Sequence, residues 1–175
     1  SGPIGLMHLQ LAVSSGASKI IVVDLKDTRL VEAKKLGATD TINPEQGDPV
    51  AMIKEITQGL GADVTIEATG AKSGWEYAFA CVRMGGRVMW FGGMPGGTML
   101  EIDTTKMHYG EITAHGIFHS TPHDVYIAYQ MICNGTLNTK ALVTTEMPLE
   151  HVEKALKAMM EGTVEKVAIK PEMMV

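Results

Sequence analysis

Ser1-Gly2-Pro3-Ile4-Gly5, then an apolar run, then Ile20-Ile21-Val22-Val23-Asp24: these two groups decide how the chain is read. The first has the form of a phosphate turn, the second that of a strand ending in an acid. In the glycine fingerprint of dinucleotide sites the first glycine makes the turn after strand one. The second lets backbone approach a pyrophosphate, and the third lets the helix pack on the sheet. Gly2 and Gly5 fit the second and third places, and the first would fall one residue before Ser1. Pro3 suits the opening of a helix whose unpaired N–H groups and positive dipole end would face the pyrophosphate. Asp24 stands nineteen positions after Gly5, where the pattern expects an acid that accepts hydrogen bonds from ribose hydroxyls.

Between the two groups, residues 4–13 are apolar on nearly every side, with His8 and Gln10 the main interruptions. Such a helix is expected to be buried, and His8 to be a satisfied core histidine. A chain of 175 residues, 45% hydrophobic and 20% charged, is long and apolar enough for a sizeable globular core. A net charge of −5 and the lack of any Lys/Arg run speak against nucleic acid or an anionic membrane as partner. No stretch is long and apolar enough to span a bilayer, and no charged-then-apolar leader is seen. Cys81 and Cys133 lack metal or redox spacing and are expected as buried, inert thiols in a reducing cytosol.

Downstream, strand and helix signals alternate. Asp27 is expected to cap a helix that buries Leu30, Ala33 and Leu36 and stops at Gly37. Residues 40–42 form a short strand. Asp48 and Pro49 open a helix with Val50, Ile53 and Ile56 or Thr57 on one face, ending at Gly59. A strand at 64–66 closes on Glu67-Ala68-Thr69-Gly70. A helix presenting Trp75, Ala78, Phe79 and Val82 ends at Gly85-Gly86, and a strand at 88–91 runs into the glycine-rich loop 92–97. Residues 100–102 alternate like an edge strand, and 112–118 read as another. Thr121, Pro122 and Asp124 make a capping-box start for a helix expected to bury Val125, Ala128, Tyr129 and Ile132. A strand at 141–143, a helix through Leu149, Val152, Leu156 and Met159, and a strand at 167–169 follow. The methionines are scattered, as core filler would be. This alternation defines an α/β chain with a doubly wound parallel sheet, whose ligands are expected beyond the carboxyl ends of its strands. Asp24, Thr69, Gly92, Gly93 and His119 fall there.

The quoted segments also carry a family resemblance. Ser-Gly-Pro-Ile-Gly, Val-Val-Asp with Arg29 five residues later, Glu-Ala-Thr-Gly, Gly-Gly-Arg-Val, Phe-Gly-Gly, His-Gly-Ile-Phe and the closing Met-Pro-Leu-Glu…Lys-Val-Ala-Ile-Lys-Pro keep an order and spacing that spans nearly the whole chain. Together they resemble the coenzyme half of zinc-dependent medium-chain alcohol dehydrogenases, on the sorbitol (iditol) and threonine dehydrogenase side of that family. The resemblance implies a Rossmann-type sheet, NAD as cofactor, and zinc bound outside this chain in the complete enzyme. It implies that Ile4, between Gly2, Pro3 and Gly5, lies at the pyrophosphate and that Asp24 and Arg29 bracket the adenosine ribose. Thr69 would lie beside the cofactor. Phe91, Gly92 and Gly93 would present backbone to the nicotinamide-side ribose, and Ile117 and Phe118 would flank the nicotinamide. His119 stands where polyol dehydrogenases of this kind often carry arginine. His115, His119 and His123 do not read as a metal set, because Pro122 breaks any shared helical face.

In the strand order 3-2-1-4-5-6 strand one is central, and it has no counterpart in this sequence, so two neighbouring strands are expected to carry unpaired backbone beside a slot. A fragment, or one chain of a nicked enzyme, is expected. Residues 1–146 are read as the NAD-binding domain, 147–175 as a segment returning towards a catalytic domain, and the 112–118 edge strand as a homo-oligomer contact. The activity implied is hydride transfer between a secondary alcohol, a small-molecule substrate, and NAD. Two other readings stand beside it: a non-catalytic NAD(H) sensor, and a zinc-free quinone-reductase relative using NADPH, against which Asp24 argues.

Overall fold

Parallel pairing runs through three short ladders rather than one continuous sheet in the computed structural model, which describes residues 2–172. Helix α1 (Pro3–Ser14) leads to β1 (Ile21–Val23), α2 (Asp27–Lys35), β2 (Asp40–Ile42), α3 (Pro49–Ile56) and β3 (Ala62–Glu67). Then come α4 (Lys72–Cys81), β4 (Val82–Trp90), α5 (Thr104–Tyr109), β5 (Thr113–Gly116) and α6 (Pro122–Cys133). The chain continues through β6 (Thr145–Pro148), α7 (Val152–Glu161) and β7 (Val167–Lys170). β1 pairs with β2, β4 lies between β3 and β5, and β6 pairs with β7, always in parallel.

Written as β2-β1, a break, and β3-β4-β5, the first two ladders are the 3-2-1-4-5-6 sheet without its strand one. The break has a side-chain signature. Val23 on β1 and Val64 and Ile66 on β3 are 36, 41 and 40% exposed, although a parallel sheet covered on both faces buries such residues.

Three apolar clusters hold the layers. Leu6 and Leu9 of α1 pack with Val22, Leu30, Ala33, Ala38 and Leu142. Phe79, Val82, Val88 and Ile112 join α4 to β4 and the entry to β5. Ile42, Ile53 and Cys81 form the third. Leu142 in the first cluster, and the Asn138 N–H donated to Gln10 Oε1 at 2.6 Å, bring the C-terminal part of the chain back onto α1.

Side-chain caps open α3, α5 and α6, whereas α1, α2, α4 and α7 have none among the described residues. The Asp48 carboxylate accepts from Val50 N with Pro49 in the first turn, and Thr121 and Asp124 complete a reciprocal capping box. Other expectations are corrected. Asp27 does not cap α2. It is the first helical residue, and its carboxylate accepts from Asn43 Nδ2 at 2.8 Å, a side chain that is itself buried. Gly85 and Gly86 do not stop α4, which ends at Cys81 with Lys106 Nζ donating to the carbonyls of Phe79 and Ala80. Instead they sit inside β4, where the register to β3 slips and Gly85, at φ +68°, donates to Gly110 O.

Residues 100–102 form no strand. They precede the short helix α5, which Asp103 caps through Thr105 N and Lys106 N. Around 141 the chain makes a 3-10 turn, capped by Asn138, and the strand falls later, at β6. Helix α6 buries none of Val125, Ala128, Tyr129 and Ile132 among the described residues, and α7 leaves Leu156 exposed while burying Ala155. Leu149 falls in a 3-10 turn before α7. Cys133 is exposed, not buried, and Met84, Met99 and Met160 face solvent rather than filling core. Cys81 is buried, and desolvation pushes its thiol up to about 11, so it carries no thiolate at neutral pH. No helix of the described residues is long and apolar enough to cross a membrane.

Candidate cofactor site

The registers Glu67↔Trp90↔Gly116 align the carboxyl ends of β3, β4 and β5, and Asp24 leaves the corresponding end of β1 with its N–H on Ile42 O. The residues singled out in the sequence gather into two groups along this rim.

The first group surrounds the start of α1. Gly2 is the N-cap residue, Pro3 opens the first turn, and no side chain among the described residues caps the helix; the N–H groups of that turn, including those of Ile4 and Gly5, have no intrahelical acceptor. Asp24 Oδ1 accepts from Lys26 N at 2.9 Å, and Oδ2 lies 3.9 Å from Arg29 Nη1. A Cβ built on Gly2 would stand 4.0 Å from Arg29 Nη2. Gly2, Asp24 and Arg29 are therefore one neighbourhood. The Asp24 and Arg29 side chains are only 10 and 21% exposed, so theirs is not a solvated surface pair. Sequence reading missed a fourth member, Glu165, whose Oε1 accepts from Arg29 Nε at 3.0 Å.

The second group is organised by Glu67, which is 4% exposed. Its Oε1 accepts from Thr69 N, Thr69 Oγ1 and Gly70 N, and its carbonyl accepts from Phe91 N and Gly92 N at 3.0 and 3.1 Å. One residue thus fixes both the 69–70 turn and the 91–92 loop. Sequence reading quoted Glu67 in its motif but gave it no role; a carboxylate ending a buried strand was the available signal. Backbone meets backbone here: a Cβ on Gly92 would overlap Gly70 N and lie 2.8 Å from Gly70 Cα. A Cβ on Gly93 would meet no described atom within 4 Å, so that side of the residue faces open space. Trp75 Nε1 donates to Gly92 O at 2.8 Å, and its ring stacks on Trp90 with centroids 4.8 Å apart and planes 5° from parallel.

His8 connects the groups, because its ring meets the Phe91 ring edge-on at 4.8 Å. It is not the satisfied histidine expected: Nε2 is buried with no partner among the described residues. Burial holds its pKa below the ordinary 6.5. The unfolded chain then binds the proton more readily, so the stability from neutral His8 is fully present above about pH 6.5 and is lost as pH falls towards and through the folded value. Denaturation midpoints should fall more steeply between about pH 7 and pH 5 in the wild type than in His8→Phe. Parallel pH profiles would remove His8 from the acid response.

Ile117, Phe118 and His119 follow β5 and remain exposed, Phe118 at 86%. Their ring contact is between Phe118 and His119, with His119 at φ +66°. The register places Ile117 at the same sheet end as Phe91. Among the described residues no three His, Cys, Asp or Glu side chains gather into a metal-binding group.

The parallel strand order, the helix that begins at Gly2 and the acid that ends β1 are those of a Rossmann-type doubly wound fold. The chain belongs to the zinc-binding dehydrogenase family, whose profile matches residues 3–134. It is 35% identical to sorbitol dehydrogenase of Bacillus subtilis (strain 168) over 159 residues, covering 89% of this chain and 44% of that protein. It is 33% identical to L-threonine 3-dehydrogenase of the same organism, covering 97% of this chain and 49% of the relative. Among solved structures, benzyl alcohol dehydrogenase of Acinetobacter calcoaceticus superposes with a TM-score of 0.90 at 30% identity, covering 97% of this chain and 47% of that one. A zinc-binding dehydrogenase of Sinorhizobium meliloti 1021, solved with NADP bound, gives 0.90 at 26% identity, covering 97% and 50%. The chain spans about half the length of the relatives it matches.

Proposed function

We propose that this chain is the coenzyme-binding part of an NAD-dependent alcohol or polyol dehydrogenase, holding the nicotinamide ring for hydride transfer from a secondary alcohol. The observation that carries this reading is the Asp24 carboxylate, fixed by Lys26 N and Arg29 beside the Gly2 turn. A carboxylate there accepts hydrogen bonds from both ribose hydroxyls and meets a 2′-phosphate as a like charge. The residues present fit a dinucleotide: N–H groups at Gly2, Ile4 and Gly5 for the pyrophosphate, Asp24 and Arg29 for the adenosine ribose, and open backbone at Gly93 for the nicotinamide side. Thr69, Phe91 and Gly92 frame that side, and Ile117, Phe118 and His119 stand at its rim. Zinc, which would be held outside this chain in the complete enzyme, would supply Lewis-acid polarisation of the alcohol oxygen. This chain binds and orients.

Residues 1–146 then serve as the NAD-binding domain and 147–175 as the segment returning towards the catalytic domain. The lean of Glu161 and Glu165 onto α2 supports that segment's role near the cofactor. Free Cys81 and Cys133 suit a reducing cytosol. The position of β5 at the edge of its ladder supports a homodimer through residues 112–118. A monomer at micromolar concentration in sedimentation equilibrium would remove that assembly. The names of the matched relatives favour dehydrogenase over sensor or quinone reductase.

Titration of NAD and NADP into the complete polypeptide tests the cofactor reading. Hydrogen bonds to a charged group are worth about 1.5–3 kcal/mol, so Asp24→Ala should cost NAD on the order of tenfold or more in affinity and erode most of its advantage over NADP. Equal wild-type affinities, or an unchanged ratio in the variant, would take Asp24 out of the site.

A further inference from the structure

Glu165 is 141 positions beyond Asp24 in sequence, yet its carboxylate lies against the same arginine. Its side chain is 14% exposed, Oε1 receives Arg29 Nε at 3.0 Å, and Oε2 is buried with no partner among the described residues. Burying a carboxylate oxygen without a donor is costly, and nothing in the pairing of β7 with β6 requires it. The turn is built for this approach. Gly162 ends α7 in the left-handed region at φ +67°, and a Cβ there would overlap Lys26 Nζ and come within 3.6 Å of Arg29 Nη2. Lys26 Nζ in turn donates to Glu161 O at 2.8 Å.

We propose that Glu165 is a positioning residue for cofactor choice: it occupies the Arg29 guanidinium, which would otherwise receive a 2′-phosphate. The inference rests on the NAD-site reading of Asp24. Two cations, Lys26 and Arg29, and two acids, Asp24 and Glu165, share this neighbourhood beside Gly2. With both acids present the charges balance, and a phosphate finds no unmatched cation. With Glu165 neutral, two cations face one acid, and Arg29 Nε and its neighbouring nitrogens become a fork for a phosphate ester. Asp24 thus selects for the ribose hydroxyls, and Glu165 withholds the competing donor.

The test is a titration of NAD and NADP into the complete polypeptide as wild type, Glu165→Gln and Asp24→Ala. Glu165→Gln should move the NAD:NADP affinity ratio about tenfold towards NADP, by tightening NADP while NAD changes about twofold or less. Adding Arg29→Met to Glu165→Gln should restore the ratio, which a merely structural role for Glu165 would not produce. Equal weakening of both cofactors in Glu165→Gln overturns the proposal. So does an unchanged ratio there alongside a shifted one in Asp24→Ala, which leaves the Asp24 reading standing. Unchanged ratios in both variants overturn both. The wild type gives an answer even if the variants fail to fold. With Arg29 withheld, its NADP:NAD affinity ratio should hold or rise as salt is raised, because no phosphate–cation pair is there to screen. A ratio that falls with salt shows the phosphate already paired and overturns the proposal.

Discussion

Gly92→Ala is expected to weaken cofactor binding by two orders of magnitude or more and to lower the melting temperature with it. The added methyl would overlap Gly70 N, stand 2.8 Å from Gly70 Cα and 2.7 Å from Glu67 Oε2. These are backbone atoms and a buried carboxylate, neither of which can swing aside like the end of a flexible side chain. Relief requires the 91–93 loop to lift from the 69–70 turn, breaking the Glu67 carbonyl bonds to Phe91 N and Gly92 N and the Trp75 bond to Gly92 O. Overpacking of this kind costs about 1–3 kcal/mol or more in stability. Gly93→Ala is the control, since its added methyl would meet no described atom within 4 Å. It should leave the melting temperature alone and reduce only cofactor affinity. Calorimetric melting and cofactor titration of both variants decide the matter, and an unchanged melting temperature in Gly92→Ala would show that the two turns do not pack as described.

Supplying a strand between β1 and β3 should stabilise the chain by an equally large margin. Val23, Val64 and Ile66 are each more than a third exposed, and β1 and β3 each present an edge to the break. A parallel strand there would add several backbone hydrogen bonds at about 1 kcal/mol each and cover three aliphatic side chains. A gain on the order of 5 kcal/mol raises the melting temperature of a chain this size by roughly 10–20 °C. The comparison is residues 1–175 alone against the same residues carrying an apolar strand and turn before Gly2. Residues 1–175 melting sharply as a monomer, at the temperature of the extended chain, would mean that the break is not a slot.

Legibility from sequence followed the range of the interaction. Asp48 and the Thr121–Asp124 box were readable because a cap is decided within four residues. Strands β1, β3 and β4 were readable because aliphatic runs mark them, whereas the expected strands at 100–102 and 141–143 are not formed. Helix α5 was not readable, since six residues carry too little apolar periodicity to register. Burial on α6 failed for a different reason. Its spacing does make a helix, but whether Val125 and Tyr129 are covered depends on what lies opposite. Of the candidate site, the nearness of Gly2 and Asp24 to Arg29 followed from their spacing. That of Glu165 did not: its arginine is 136 residues away, and no local pattern marks a carboxylate that closes a contact across the fold.

The two tryptophans of the chain are Trp75 and Trp90, and they lie face to face with one indole N–H held by the carbonyl of Gly92. The chain therefore carries its own optical gauge. Stacked indoles couple their excited states and give a paired far-ultraviolet circular dichroism signal that isolated rings lack. A shift of the glycine loop on ligand arrival would loosen the Trp75 tether and change that coupling. Bound dihydronicotinamide, which absorbs where indole emits, would quench the same pair by energy transfer. Loop movement and cofactor occupancy can thus be followed separately, one by dichroism and one by emission, with no dye attached and no residue replaced.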